Sequence, residues 1–167
     1  MKTFPHLEVK GDAAARGGAH GEAFRERIEK TFSFYMDDLF ASSPLSGAEI
    51  EARANRIKAL TVEAAPDCAA EISGIAAGAN LEEWKLFVLN ARTEILNAKV
   101  TECTAFYFAE SQVLAQNWDW VEPLEDLAVA ITHERDDGRR YAVFVETGMI
   151  GKSGLNSDGL GVCLNIL

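Results

Sequence analysis

The chain has 167 residues, of which 48% are apolar and 25% are charged, and its formal net charge is −10. This composition is typical of a globular chain that buries one core, so we expect a single domain over residues 1–167. The acidic balance provides no basic surface for phosphate groups, which argues against nucleic acid or an anionic membrane as a partner. The sequence contains no apolar run typical of a signal peptide or a membrane span, and we expect a cytoplasmic protein.

Four helices are predicted in succession within residues 1–102. Their apolar side chains recur at intervals of three and four residues, which places them on one face of each helix. The expected N-terminal signals are Asp12, the Ser46–Glu49 capping box and the Asn80–Glu83 capping box, and a short third helix is expected from Asp67 to Gly78. The last helix carries Arg92 and Glu94, which we expect on an exposed or interfacial polar face.

The hydrophobic period changes from about 3.6 to about 2 after Thr101, which predicts short strands over residues 103–167. The strand segments are "CTAFYFA", "VLAQNWDW", "LAVAITHE", "YAVFVET" and "GLGVCLNIL". Polar linkers of hairpin length separate them, so an antiparallel meander is the simplest arrangement. Helices followed by such strands predict an α+β fold. The last strand ends without a polar tail, and we expect the sheet to be truncated there.

One segment resembles a phosphate-binding loop but has the wrong spacing. In "ETGMIGKSG" the glycine required five residues before the Gly-Lys pair is replaced by Glu146. A strand is predicted after it, so no helix N-terminus would receive a phosphate. We therefore exclude a nucleotide site there.

Cys103 begins the first predicted strand and is a candidate nucleophile. The three histidines are far apart in the sequence, and none has the spacing of a metal site or of a Cys/His pair, so another base is needed. A chain-terminal amine has a pKa near ~8 and could accept the proton of a thiol with a pKa near ~8.5. Such an amine would exist if the thiol cut the bond between Glu102 and Cys103.

The chain resembles a known family at several points in the expected order. The segments are "EISGIAAGAN", "LNARTEI", "ECTAFYF", "LAQNWDW" and "FVETGMIGKSGLNSDGLGVCLN". Together they are similar to the isopenicillin N acyltransferase family of autoproteolytic N-terminal-nucleophile (Ntn) hydrolases. The resemblance implies an αββα sandwich of which this chain is the N-terminal half, and a zymogen whose residues 1–102 become an α chain while 103–167 start the β chain.

The resemblance also implies roles for individual residues. Cys103 would be the nucleophile, Asp119 the carboxylate beside it, and Asn117 and Trp118 would line the substrate pocket, with cleavage between Glu102 and Cys103. An oxyanion-hole asparagine and an arginine would lie beyond residue 167. The implied activity is that of a cysteine acyltransferase or amidohydrolase acting on acyl thioesters or amides.

The implied partners are a small-molecule acyl donor, either acyl-CoA or an acyl amide, and an amine or water as acceptor. We expect no cofactor and no metal. An amidase similar to choloylglycine hydrolase and penicillin V acylase is the alternative within the same superfamily. A non-catalytic fragment or binding module, forming a homo-oligomer through the sheet edge, is the alternative from a different class.

The first hairpin allows a geometric test of the proposed pair. Cross-strand neighbours share a face, so Cys103 stands opposite Asp119 only if a three-residue loop, 110–112, or an equivalent bulge joins the strands. A shift of one position would pair Cys103 with Trp118 and turn Asp119 to the other face. We predict the first of these registers.

Overall fold

Helices fill the first half of the chain and most of the strands follow, as the change of period predicts. The structure is a computed structural model that describes residues 3–96, 103–119 and 121–165. The α-helices are α1 (Ala13–Ala23), α2 (Arg25–Phe34), α3 (Gly47–Ala64), α4 (Pro66–Ala79), α5 (Glu83–Asn90), α6 (Arg92–Leu96) and α7 (Glu122–Glu125). The strands are β1 (His6–Lys10), β2 (Cys103–Phe108), β3 (Val113–Trp118), β4 (Ala128–Glu134), β5 (Arg140–Glu146), β6 (Ser153–Asn156) and β7 (Gly161–Val162). The α+β class is confirmed.

Two of the predicted helix starts are confirmed by their caps. Asp12 Oδ1 accepts a hydrogen bond from the Ala15 N–H at 2.8 Å, which satisfies one free donor at the start of α1. At α3, Ser46 Oγ accepts from the Glu49 N–H and the Glu49 side chain accepts from the Ser46 N–H. This reciprocal pair is the predicted capping box.

Two details of the helical prediction are wrong. The first helix is interrupted at Phe24, where φ is −123°, and α2 runs on into a π-helical turn at Tyr35–Leu39. Asn80 ends α4 in the left-handed conformation, with φ 57° and ψ 43°, instead of starting the next helix. Asparagine tolerates that conformation better than most residues, so its presence is compatible with either end of a helix.

The strands form two sheets and not one meander. The larger has the order β1-β4-β5-β6-β7, in which β1 runs parallel to β4 and the other neighbours are antiparallel. β2 and β3 form a separate two-stranded sheet. Among the strands after residue 103, every pair is antiparallel and joins consecutive strands, as predicted. The prediction of one continuous meander is wrong, because β3 does not pair with β4, and β1 adds a parallel strand that was not predicted.

The elements stack as three layers. Val129, Ile131 and Val145 on one face of the five-stranded sheet are buried in the same core as the helices. On the other face, the Phe144 ring meets the Trp118 ring of β3 edge-on, with centroids 6.2 Å apart. The helices therefore cover one side of this sheet and the hairpin lies across the other.

A buried polar cluster ties the helices to the sheet. Arg16 of α1 donates to Glu71 of α4 at 2.7 Å, and His133 of β4 lies 3.3 Å from Glu71 with its ring stacked on Tyr141. Burial and the charge of Arg16 lower the pKa of His133 to about 4, so the ring is neutral at neutral pH. Burial raises the pKa of Glu71, and the hydrogen bond from Arg16 opposes that shift.

Candidate active site

The β2–β3 hairpin brings Cys103 to Trp118 and not to Asp119. Cys103 is half-buried at the first position of β2, and the ladder runs without interruption from the Cys103–Trp118 pair to the Phe108–Val113 pair. The predicted pairing of Cys103 with Asp119 is therefore wrong.

The turn explains this register. Four residues, 109–112, connect the strands, and Gln112 takes the left-handed conformation with φ 51°. With four residues in the loop, the pairing is shifted by one position relative to the predicted three-residue loop. Such a shift puts Trp118 opposite Cys103, in the position predicted for Asp119.

Asp119 contacts Asn117, whose side chain lies on the face of the hairpin away from Cys103. Asn117 Nδ2 donates to the two carboxylate oxygens of Asp119 at 3.1 and 2.9 Å, and both side chains are exposed. Side chains alternate along a strand, so Asn117 faces away from its neighbour Trp118. The four predicted residues thus form two separate pairs. The predicted cleavage partner, Glu102, lies outside the described residues.

Trp118 connects Cys103 to a lysine that the sequence analysis did not single out. The Lys152 ammonium nitrogen lies 3.5 Å from the centre of the Trp118 ring, which is a close cation–π contact. Because Trp118 is the cross-strand partner of Cys103, their side chains share one face of the hairpin. Lys152 therefore approaches the hairpin on the face that carries the cysteine.

Lys152 belongs to a buried ionic network around Glu146. Glu146 is fully buried, and its Oε2 accepts from Lys152 Nζ at 2.9 Å while its Oε1 accepts from the Tyr35 hydroxyl at 2.9 Å. Arg92 Nη2 lies 3.5 Å from the same carboxylate, and Arg92 Nε donates to the Tyr35 oxygen at 2.7 Å. Arg92 is buried against Glu146 and Tyr35, so of the two predicted settings, exposed or interfacial, it has the interfacial one.

The surroundings of Lys152 alter its protonation. Its side chain is only 7% exposed. Burial lowers the pKa of Lys152 to about 8, Glu146 opposes this shift, and the nearby Arg92 charge adds to it. Cys103 makes a small contribution to the pKa of Lys152 in the same direction as Glu146.

The residues of this network carried a weak signal in the sequence. Glu146 and Lys152 both lie in the segment rejected as a phosphate-binding loop, and Tyr35 fitted an apolar helical stripe. A carboxylate at the end of the apolar strand "YAVFVE" is unusual unless it is paired, and that observation could have suggested a buried partner.

An open groove of about 1510 Å³ separates the hairpin from the five-stranded sheet. Its walls include Tyr107, Leu114 and Trp118 on the hairpin and Val143 and Leu155 on the sheet. Cys103 does not line it directly. Trp118 lies between Cys103 and the groove, because it forms part of the groove wall and is the cross-strand partner of Cys103.

The described residues contain neither a metal-binding cluster nor a membrane-spanning helix. Over residues 3–96, 103–119 and 121–165, no three His, Cys, Asp or Glu side chains lie close enough together to hold a metal ion. Within the same ranges, no helix is both long enough and apolar enough to cross a membrane. The three cysteines Cys68, Cys103 and Cys163 are free thiols.

Comparison with known proteins finds a similarity to an acyltransferase. The chain is 28% identical over 167 residues to the acyl-coenzyme A:6-aminopenicillanic-acid-acyltransferase 40 kDa form of Emericella nidulans. The two are similar over 97% of this chain. That alignment covers 47% of the relative, so the chain spans about half the length of the curated protein that it matches. No family model matches the chain. The similarity supports a relationship to the acyltransferase family.

Proposed function

We propose that the chain is the N-terminal half of a self-cleaving cysteine acyltransferase or amidohydrolase in which Cys103 is the nucleophile. The observation that carries the proposal is the position of Cys103 at the start of β2, directly after the helical half of the chain and on a hairpin that forms one wall of a groove. The similarity to an acyltransferase over 97% of the chain supports it.

The first reaction would be cleavage of the chain. The Cys103 sulfur adds to the carbonyl carbon of residue 102, the C–N bond breaks, and the proton lost by sulfur ends on the departing amine. Water then opens the resulting thioester, so that residue 102 gains a carboxylate and Cys103 regains its thiol. The products are residues 1–102 and a chain that begins with a free amine on Cys103.

The second reaction would use that amine in turnover. A terminal amine with a pKa near ~8 is partly neutral at neutral pH, so it can accept the thiol proton as sulfur attacks an acyl thioester or amide. The acyl group passes to sulfur, and the CoA thiol or the amine of the donor leaves with a proton. Water or an amine acceptor then takes the acyl group. The apolar walls of the groove are suited to an acyl chain.

The proposed fold is the Ntn αββα sandwich, and the layer order supports it. Helices, a five-stranded sheet and a hairpin correspond to an α layer followed by two β layers. The hairpin leaves Phe106, Tyr107 and Phe108 between 46% and 60% exposed. Further chain of the kind that the longer relative has could cover this surface.

The roles of the neighbouring residues belong to the same proposal. Trp118 would hold substrate beside Cys103, and Asp119, which lines the same groove, would bind a polar group of the substrate while Asn117 holds its carboxylate. The register argues against a direct contact between Asp119 and the thiol. An Asp119→Asn variant that cleaves itself and processes substrate as fast as wild type would show that Asp119 has no role in the site.

Intact-mass analysis of the purified protein tests the proposal. We expect wild type to give two fragments divided between residues 102 and 103, and Cys103→Ala to stay whole. Cys163→Ala is the matched control, because it removes another half-buried thiol from the strand-rich half and should still cleave. A wild-type chain that remains whole would refute the proposal.

The exposed apolar hairpin also favours a second candidate, a non-catalytic module that associates through this surface. Its large aromatic side chains are unusually exposed for a protein that stays monomeric. Sedimentation over a range of concentrations separates the two candidates. Association without any cleavage would favour the second, and cleavage that is independent of concentration would favour the first.

A further inference from the structure

The proposed cleavage lacks a base in its first step. Before the chain is cut, the nitrogen of Cys103 is part of a peptide bond and cannot accept a proton. The terminal amine that serves turnover exists only afterwards. Some other group must therefore take the proton from the thiol and deliver it to the departing amine.

The three histidines have contacts elsewhere in the fold. His6 contacts Thr132 Oγ1 at 2.9 Å, His20 accepts from the Gly148 N–H at 3.1 Å, and His133 stacks on Tyr141. The Asp119 carboxylate accepts two hydrogen bonds from Asn117, which faces away from Trp118. None of these groups is placed to serve the thiol.

Lys152 approaches the correct face of the hairpin. It lies against Trp118, the cross-strand partner of Cys103, and its amine is held from behind by Glu146 at 2.9 Å. Among the described residues, the charged and polar groups around it include Glu146 from β5, Arg92 from α6, Tyr35 through Glu146, and Cys103 from β2. A buried amine held in this way is prevented from turning toward solvent.

We propose that Lys152 is the proton partner of the Cys103 thiol before the chain is cut. This inference rests on the proposed function for its chemical context. The neutral amine of Lys152 takes the thiol proton as sulfur bonds to the carbonyl carbon of residue 102. The resulting ammonium gives the same proton to the Cys103 nitrogen as the C–N bond breaks, so Lys152 ends neutral and protons balance. Glu146 and Trp118 are positioning residues that hold the amine in place.

The protonation of Lys152 is compatible with this role. A lysine with its ordinary pKa near ~10.4 would be almost entirely charged at pH 7.5 and could accept no proton. Burial lowers the pKa of Lys152 to about 8, so a substantial fraction of the amine is neutral there. The rate of cleavage should then increase with pH up to about 8 and level off above it.

Two substitutions of the same residue provide the test. Lys152→Met removes both the charge and the proton acceptor, whereas Lys152→Arg keeps a positive charge that cannot be deprotonated. Lys10→Met is the matched control. Lys10 forms an exposed ion pair with Glu134 at 3.1 Å and lies on β1, the edge strand at the other end of the sheet from β6 and β7. Circular dichroism and thermal melting establish that each variant folds.

Two readouts are measured on the full chain from pH 6 to 9. The first is cleavage, followed by intact mass. The second is alkylation of Cys103 by iodoacetamide in the chain that is still whole, quantified by peptide mass with Cys68 and Cys163 as internal references. We expect at least a tenfold loss of cleavage in both Lys152 variants. We expect about a tenfold slower alkylation at pH 7.5 in Lys152→Met only, and no change in Lys10→Met.

The outcomes separate this inference from the proposed function. A wild-type chain that never cleaves refutes the proposed function. The rate of Cys103 alkylation in wild type and in Lys152→Met then tests the interaction between Lys152 and the thiol without any need for cleavage. Alkylation that is the same in wild type and Lys152→Met overturns the inference even if the chain cleaves. If Lys152→Met does not fold, a folded Lys152→Arg that cleaves as fast as wild type overturns it.

Discussion

Alanine at Gly17 should destabilise the protein strongly, because α1 and α4 pack with their backbones in contact. A Cβ at Gly17 would lie 2.1 Å from the carbonyl oxygen of Glu71, and one at Gly78 would lie 2.1 Å from that of Gly18. Real Cβ atoms do not approach closer than 3.0 Å, and both obstacles are backbone atoms that cannot rotate away. The two helices would have to separate by roughly 1 Å.

The magnitude follows from what the helices hold between them. Overpacking a well-packed contact costs ~1–3 kcal/mol. The Arg16–Glu71 hydrogen bond of 2.7 Å crosses the same contact, next to the substituted residue, and is buried at both ends. We therefore expect Gly17→Ala to lie at the upper end of that range, about 3 kcal/mol less stable than wild type.

Gly18 provides a matched control one residue away. Nothing lies within 4 Å of a Cβ built there, so Gly18→Ala adds a methyl group without a clash. Replacing glycine by alanine within a helix stabilises by ~0.5–1 kcal/mol. Urea unfolding followed by circular dichroism measures both variants. Equal midpoints for Gly17→Ala and Gly18→Ala would refute the close packing of α1 on α4.

Two further predictions concern buried charges. Burial lowers the pKa of His20 to about 3, so between pH 6.5 and 3 the unfolded chain binds a proton that the folded chain excludes, and stability decreases as the pH falls through this window. We expect this residue to make the protein about 2 kcal/mol less stable at pH 5 than at pH 7. The His20→Gln variant can still accept a hydrogen bond from the Gly148 N–H, and its stability should depend less on pH over this range. An unchanged dependence of stability on pH would contradict the lowered pKa of His20. Glu146→Gln leaves Arg92 and Lys152 without a buried carboxylate, so its unfolding free energy should decrease by about 3 kcal/mol or more and recover in part when Lys152→Met is added. A Glu146→Gln protein as stable as wild type in urea would show that the network contributes nothing.

Signals confined to a few neighbouring residues predicted the helices well. The cap at Asp12 and the capping box at Ser46 are present because their hydrogen bonds join atoms three residues apart. Asn80 was assigned to the wrong end of a helix, since asparagine is favoured both as an N-cap and in the left-handed conformation that ends α4. The local sequence does not distinguish these two uses.

Contacts between distant segments were not predictable in the same way. Strand β1 pairs with β4, for example His6 beside Ala130, and no feature of the segment "HLEVK" indicates a partner so far along the chain. The register of the β2–β3 hairpin depended on whether its loop had three or four residues. The left-handed Gln112 decided this, and glutamine at such a position gives no clear signal in the sequence.

The proposed site combines both cases, which explains why the sequence suggested Cys103 as a candidate nucleophile but did not indicate Lys152, Glu146 or Tyr35. Cys103 was identified because the change of period and the neighbouring motifs fall at one point in the chain. The groups that would control its proton come from a helical turn, a short helix, a strand end and the residue before β6, and each had a simpler local interpretation. Glu146 links them, because a fully buried carboxylate requires several donors, and here it has Lys152, Tyr35 and Arg92. The same requirement fixes the amine of Lys152 against Trp118, so the amine that stabilises the buried carboxylate also contacts the ring paired across the hairpin with the candidate nucleophile.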